Sequence, residues 1–337
     1  MSANEPAAGD IHLSVVIPCY NESENVIHTA QQIKEAFAGQ GWAYEIIFVN
    51  DGSKDDTPQV IQRLAAADPS IVYAGYAANA GRGKALRAGF AAARGKLIAS
   101  TDADLSYGPD QILNLLRALQ EHPEADFAIG SPYMPGGGTE GVPPMRLLIS
   151  RLGNSVLRYM MSVKFHTFTG IFRCYRREAL RQLVLESDGK EIHLEILSKA
   201  DALGLHGIEV PAVLRARKRG KSKFRFGKTA VKHIVYGMHE KPMLFFGLAG
   251  LLMLLISFAV MIYLFALSAA GHAVAGRPLL LFTGFLSLIA VIIMSIGFIA
   301  IQNVALRREI YKLSSQTKQI ADRLADKTTP PGESTRK

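Results

Sequence analysis

Two stretches of the chain, Pro242–Gly271 and Pro278–Leu306, contain no Asp, Glu, Lys or Arg. Each exceeds the roughly 20 apolar residues needed to cross a bilayer, and soluble core helices rarely run so long without a polar face. They predict two transmembrane helices, about residues 243–270 and 279–305, within a hairpin spanning 242–306. A short loop with His272 and Arg277 separates them, whereas Lys228, Lys232, Arg307, Arg308 and Lys312 flank the outer ends. By the positive-inside rule both ends face the cytoplasm, and with them everything that precedes the hairpin. The expectation is an integral membrane protein, of the inner or plasma membrane if bacterial, with the domain before the hairpin in the cytoplasm.

The flanks of the hairpin follow from charge and polarity. Residues 223–241 mix Phe224, Phe226, Val231, Ile234 and Val235 with Lys223, Arg225, Lys228, Lys232 and His233, a basic amphipathic segment suited to the headgroup layer. Residues 307–337 form a charged cytoplasmic tail, helical in pattern to about Asp326. That tail could pair with another copy in a homo-oligomer or stay solvated, and its charge favours solvation. Residues 1–12 read as a disordered N-terminus without the basic start and apolar core of a secretory signal. The net charge of +9 favours anionic partners. Nucleic acid is excluded because the basic residues cluster beside the membrane stretch, with no aromatic-rich basic strand for base stacking. Cys19 and Cys174 form no CxxC pair and fit a reduced compartment as small buried hydrophobes.

In residues 13–222, short β-rich runs alternate with amphipathic helical patterns. Leu13–Ile17, Glu45–Val49, Ile71–Tyr76, Leu97–Ser100 and Phe127–Ile129 read as strands, and Asn25–Phe37, Thr57–Ala67, Lys84–Ala93 and Gln111–Leu119 as helices. This predicts an α/β domain with a mostly parallel sheet, helices on both faces and ligands at the carboxyl ends of the strands. From Gly136 to Lys223 the pattern is less regular: a Gly-rich loop, a basic helix near Met145–Met161, a strand-like Ile171–Tyr175 and a helix through Glu195. That half is expected to face the acceptor.

The loops after the strands carry the chemistry. Asp102 and Asp104 sit one residue apart at a strand end, where both carboxylates can approach one hard divalent cation. Such a cation neutralises a diphosphate leaving group. An isolated Asp-x-Asp would equally suit a helix cap or a solvated turn; here three polar strand-end loops converge on one sheet edge. Pro18, Tyr20, Asn21 and Glu22 form the first loop, placed for a base and ribose. Asp51 follows the second strand and can accept hydrogen bonds from the same nucleoside, while Asp55 or Asp56 caps the next helix. Asn79-Ala80-Gly81-Arg82-Gly83-Lys84 offers glycines for close backbone approach, with Arg82 and Lys84 for phosphate.

In this order and spacing, Pro18-Cys19-Tyr20-Asn21-Glu22, Asn50-Asp51-Gly52-Ser53-x-Asp55-x-Thr57, Asn79-x-Gly81-x-Gly83-Lys84 and Asp102-Ala103-Asp104-Leu105 resemble glycosyltransferase family 2, in its dolichol-phosphate mannosyltransferase-like branch. Further on, Arg146-Leu147-Leu148-Ile149-Ser150-x-x-x-Asn154, Phe172-Arg173-x-Tyr175 and Arg217-Lys218-Arg219-Gly220-Lys221-Ser222-Lys223 are similar to that branch's acceptor helix, Phe-Arg-Ala-Tyr element and phosphate element. The resemblance implies a GT-A (Rossmann-like) fold and inverting transfer from a nucleotide sugar, GDP- or UDP-linked, to polyprenyl phosphate. It implies Mg²⁺ or Mn²⁺ on Asp102 and Asp104, a nucleotide sugar on Pro18, Tyr20, Asn21, Glu22, Asp51, Lys84, Asp102 and Ala103, and acceptor or phosphate contacts from Arg146, Ser150, Arg173, Arg217, Ser222 and Lys223. Asp104, Arg146, Arg217 and Glu195 are the implied catalytic set, Glu195 with a substrate-orienting or a structural role.

Three departures stand out. Ser106 replaces a Gln that can join the metal shell, Pro132 replaces an Arg near the acceptor, and Thr169-Gly170-Ile171-Phe172-Arg173 replaces a Thr-Ser-Gly-Phe-Arg run. They lie around the sugar and acceptor, so a direct transfer to another membrane lipid stays open, its hydroxyl needing a base such as Glu195. A membrane-anchored nucleotide-sugar-binding protein without activity is the non-enzymatic alternative.

Overall fold

A nine-residue apolar run, Ile11–Cys19 (β1), forms a central strand whose side chains are buried on both faces, as parallel strands covered by helices must be. The computed structural model describes residues 11–216, 235–238, 240–274 and 278–328. Residues 1–10 and 217–234 lie outside them, and with them most of the expected N-terminal and juxtamembrane segments and the expected site residues Arg217, Ser222 and Lys223. His12 of the expected disordered start is already in β1.

After β1 come α1 (Ser23–Phe37), β2 (Ala43–Asp51), α2 (Thr57–Ala67), β3 (Ile71–Tyr76), α3 (Arg82–Ala92), β4 (Leu97–Ser100) and α4 (Pro109–Glu121). The second half holds β5 (Phe127–Ser131), β6 (Gly138–Glu140), α5 (Pro144–Met160), β7 (Arg173–Arg176), α6 (Arg177–Gln182), α7 (Ile192–Leu203), β8 (Gly207–Pro211) and β9 (Val213–Arg215). Two long helices follow, α8 (Pro242–Ala269) and α9 (Pro278–Thr328).

Seven strands form one sheet in the order β3-β2-β1-β4-β7-β5-β8. All its pairings are parallel except those of β7, which runs antiparallel to β4 and β5. Leu13, Val15 and Ile17 enter one cluster with Val26 and Ile33 of α1, Ile61 of α2 and Leu115 and Leu119 of α4. On the opposite face α3 lies against β1 and β2 and meets α7. Gly89 makes that approach possible: a Cβ there would stand 2.3 Å from Val16 Cγ1. Burying one such aliphatic side chain contributes about 1.5–3 kcal/mol, so these layers set the sheet in place. At the amino ends of the strands, the buried Glu45 accepts from Ser14 Oγ (2.6 Å) and from the Arg94 amide and Nε (2.7 and 2.9 Å). This satisfies a carboxylate that burial alone would penalise.

From β1 the chain builds outward through β2 to β3, then returns to place β4 on the other side of β1. The carboxyl ends of β1 and β4 therefore flank a topological switch point, where open α/β sheets bind ligands. The short strands β6, β8 and β9 escaped the sequence reading because, unlike the equally short β4 and β5, they carry no continuous buried apolar run. β6 and β9 pair with each other as a separate two-stranded sheet.

The chain divides into two units, one containing the sheet and joined by residues from Tyr311 onward, the other spanning Ile234–Ile310. In the second unit, α8 and the first part of α9 are long and apolar enough to cross a membrane, with mean hydropathy of 2.6 and 2.7. Only 17% and 11% of their most apolar windows are buried, unlike core helices. They pack through small residues: Ser257 Oγ donates to Thr283 O (3.0 Å), and a Cβ on Gly250 would meet Met294 Cγ at 2.4 Å. Helix α9 continues unbroken past Leu306 to Thr328. Its charged end is largely exposed or half-buried, and within the first unit two of its side chains make contacts: Tyr311 lies over Lys199, and Lys318 Nζ donates to Leu183 O (3.2 Å).

Candidate active site

The Asp102–Asp104 turn follows β4 at the switch point. Leu105 turns it with φ +47°, and Leu105 N donates to Asp102 O at 3.2 Å. Ala103, buried, gives its carbonyl to Thr29 Oγ1 at 2.6 Å, which ties the turn to α1. Asp104 Oδ1 accepts from the amide and hydroxyl of Ser106 at 3.0 and 2.7 Å. Ser106 thus orients the carboxylate from its own backbone turn, a role the sequence comparison with Gln did not suggest. Asp102 Oδ1 accepts from Arg82 Nη2 at 2.8 Å, both side chains about three-quarters buried.

Among the described residues no three His, Cys, Asp or Glu side chains gather as a metal site. Magnesium-type sites commonly use one or two carboxylates and complete their shell with phosphate oxygens and water. Asp102 and Asp104, each held by hydrogen bonds in the turn after β4, are carboxylates of the type such a site uses.

The loops after β1 and β2 are laced together. Asn21, with φ +52°, receives the Lys54 amide on Oδ1 at 2.8 Å and donates its own amide to Ser53 Oγ at 3.0 Å. Glu22 N donates to Thr57 Oγ1 at 2.9 Å, and Glu22 Oε2 accepts from Asn25 Nδ2 at 2.6 Å. Asp55, rather than Asp56, holds the start of α2, accepting from Thr57 N and Oγ1 at 3.1 and 2.5 Å. Burial opposes its charge, yet these hydrogen bonds and those from Ser23 keep its carboxyl below the ordinary range. Pro18 is still within β1, opposite Val49, and Tyr20 is half-buried.

Asp51 is buried, and its carboxylate organises the next loop. It accepts from Tyr76 OH (2.7 Å), Asn79 Nδ2 (2.9 Å), Ala80 N (2.9 Å) and Gly81 N (3.1 Å). These bonds tie Asp51 to the loop after β3. The glycines after Asn79 differ from their expected use. A Cβ on Gly81 would lie 2.6 Å from Asp188 O, and one on Gly83 would lie 2.2 Å from Ser187 O. Gly83 N donates to that same Asp188 carbonyl at 2.7 Å, and Lys84 N does so at 3.3 Å. The close approach is therefore between two protein backbones. The Lys84 side chain is exposed, its Nζ 4.6 Å from the centre of the Tyr76 ring.

Residues 183–191, which have no regular structure, form a strap across the start of α3. Glu195 holds it, its two oxygens accepting from Glu186 N and Ser187 N at 2.9 Å each while Lys199 Nζ pairs with Oε1 at 2.7 Å. Burial alone would raise the Glu195 carboxyl, but Lys199 and Ser187 hold it below the ordinary glutamate value. The position suits a structural carboxylate, one of the two roles expected for it. Arg87 reinforces the strap by an ion pair with Asp188 and a bond to Leu185 O (3.4 Å). Sequence reading missed the strap because its contacts are backbone carbonyls and amides, which leave no side-chain motif.

On the acceptor half, Arg146 is exposed in the first turn of α5. Ser150 Oγ accepts from Tyr133 OH at 2.7 Å, and the Arg151 guanidinium lies 5.9 Å from the centre of the Tyr133 ring. Arg151 thus brings a guanidinium to the ring of Tyr133, just after β5 and Pro132. Arg173 departs from its expected phosphate contact. It is fully buried, donating from Nε to Gly170 O (3.0 Å), from Nη1 to His193 O (3.1 Å) and from Nη2 to Phe168 O (2.5 Å). Its β-strand position points the side chain into the core, where the guanidinium satisfies loop carbonyls instead of a ligand.

The mostly parallel sheet, with two aspartates in the turn at its switch point, is a GT-A-like α/β core. Residues 14–184 match Glycosyl transferase family 2, and the chain belongs to that family. It is 35% identical over 216 residues to polyprenol monophosphomannose synthase of Mycolicibacterium smegmatis, covering 62% of this chain and 79% of that protein. Dolichol-phosphate mannosyltransferase of Pyrococcus furiosus is 34% identical over 66% of this chain, which spans 61% of that relative's length. The fold is shared with glucosyl-3-phosphoglycerate synthase of Mycobacterium tuberculosis, solved with Mn²⁺, UDP-glucose and phosphoglyceric acid. That match has a TM-score of 0.52, 18% identity and coverage of 70% of this chain and 82% of the other.

Proposed function

We propose that the chain transfers a sugar, with inversion, from a GDP- or UDP-linked donor to polyprenyl phosphate at the cytoplasmic face of a membrane, using Mg²⁺ or Mn²⁺. The observation that carries this reading is the pair Asp102 and Asp104 fixed at the switch point beside Arg82. The names of the relatives support the acceptor, since they describe transfer to polyprenol or dolichol phosphate. The Mn²⁺ and UDP-glucose of the synthase with the shared fold support the donor class and the metal.

A divalent cation on the two aspartates would neutralise the diphosphate as the glycosidic bond breaks. Ser106 keeps Asp104 oriented for that ligand, and Arg82 supplies a guanidinium within reach of the donor phosphates. Arg146, Ser150, Arg217, Ser222 and Lys223 are the residues we assign to the acceptor or donor phosphates. A phosphate acceptor is anionic at neutral pH and requires no general base. Glu195, the base a hydroxyl acceptor would need, is instead held ionised by Lys199 and two amides, with its basicity reduced. This favours a phosphate over the hydroxyl of another lipid.

Helix α5 supports work at a lipid surface. Met145, Leu148, Leu152, Val156 and Tyr159 are 42–67% exposed, and at helical spacing they fall within roughly 80° of arc. Arg151 and Arg158 lie along one margin of this stripe and Arg146 toward the other, the arrangement of an interfacial helix. The basic flanks of the apolar helices support the cytoplasmic side.

The test is to incubate the purified protein with GDP- and UDP-sugars and polyprenyl phosphate and to weigh the lipid. The expected product is heavier by one sugar residue with one donor class and is lost in chelator. No lipid product with any donor would remove the acceptor assignment, and unimpaired transfer in chelator would remove the metal.

A further inference from the structure

The strap 183–191 joins three elements, and one of them lies far along the chain. Lys199 Nζ uses all three of its donors, on Val184 O (2.5 Å), Glu195 Oε1 (2.7 Å) and Glu186 Oε2 (3.2 Å). The Tyr311 ring, from the charged end of α9, covers this ammonium with its centre 4.8 Å away. Lys318, two turns further on, donates to Leu183 O at the beginning of the strap. At the other end of the strap, Asp188 O takes the amides of Gly83 and Lys84. Those amides belong to the first turn of α3, whose N–H groups have no acceptor within the helix itself. The adjoining Arg82 carries the ion pair to Asp102.

We propose that the charged end of α9 is a positioning element for the donor loop, with Tyr311 and Lys318 holding the strap that fixes the first turn of α3. Tyr311 excludes water from the Lys199–Glu195 pair, and a cation facing an aromatic ring also gains electrostatically. With the pair shielded, the amides of residues 186 and 187 stay on Glu195, and the Asp188 carbonyl stays on Gly83. Arg82 and Lys84 are then presented in fixed positions. Their use in holding donor phosphates rests on the function proposed above; the mechanical link from Tyr311 to Gly83 does not.

The experiment is hydrogen exchange on the full-length protein in detergent, without donor or acceptor, comparing wild type with Tyr311→Ala, Tyr311→Phe and Lys318→Ala. Tyr311→Ala should speed exchange at residues 82–85 about three- to tenfold, the range of a partly desolvated cation–π contact. Tyr311→Phe, which keeps the ring, should match wild type, and β1 should be unchanged in every variant. Lys318→Ala removes one surface hydrogen bond without disturbing the core and should speed exchange at 82–85 in the same direction. In a second arm, UDP and GDP titrated with Mn²⁺ should bind Tyr311→Ala more weakly than Tyr311→Phe. Faster exchange confined to 183–191 in both alanine variants, with 82–85 as in wild type, would overturn the link. Should the exchange effect appear while neither nucleotide binds wild type, the donor reading fails and the positioning link stands.

Discussion

Arg82 and Asp102 form an ion pair at the position where a cation is expected to bind. On the proposed reading, the guanidinium competes with the metal for that carboxylate and turns to the donor diphosphate when the metal binds. Replacing Arg82 with Met should tighten Mn²⁺ binding to the nucleotide-free protein by roughly two- to fivefold, the worth of a partly exposed ion pair. The same change should weaken binding of the nucleotide sugar. Calorimetry in the two states checks both signs, and equal Mn²⁺ affinity in the two proteins would remove the competition. The strand-end position of Asp102 and Asp104 was legible in the sequence, because the short apolar run Leu97–Ser100 stops just before them. Arg173 was not, since a strand residue can face the core or the cleft and the Phe-Arg-x-Tyr pattern does not tell which. Burial decided it: three carbonyls left by the 168–170 loop and α7 needed a donor.

Helix α7 holds the strap, and the strap meets the first turn of α3. The Glu195–Lys199 pair is buried, so loss of either partner leaves a buried charge with weaker compensation, from Glu186 on one side or two amides on the other, and is destabilising. The Glu195 carboxyl is held below its ordinary value of 4.5. Its contribution to stability is therefore complete above that value and disappears as the pH falls through the lower, folded-state value. Glu195→Gln should be less stable near neutrality and should lose less stability than wild type between about pH 5 and pH 2. Melting curves across that range check the difference, and parallel acid limbs would mean that Glu195 does not carry the charge assigned to it. The longer strands and helices of the sheet were readable from periodicity, and the first loops from their polar residues. The strap was not: its function depends on main-chain groups that any residue carries. Gly81 and Gly83 did signal a close approach, and only the fold shows that the approaching group is the 187–189 backbone.

In the whole molecule, uncharged length announced the apolar hairpin before any motif was considered, because few soluble folds tolerate it. The charged end of α9 was harder to read. Its composition suits solvent, and the contacts that place it with the catalytic unit, Tyr311 on Lys199 and Lys318 on Leu183 O, involve partners more than a hundred residues away. The molecule thus combines a family 2 catalytic unit, helices able to cross a membrane and an exposed apolar stripe on α5, a combination suited to a water-soluble donor and a lipid acceptor. At its centre stands the claim that the aspartates after β4 hold the cation that binds the donor diphosphate. Titrating Mn²⁺ into wild type and Asp104→Asn in the presence of GDP or UDP tests it most directly. Wild type should bind Mn²⁺ in a nucleotide-dependent way, and a folded Asp104→Asn should bind it at least about tenfold more weakly; equal binding by the two proteins would rule out the aspartates as the metal's ligands.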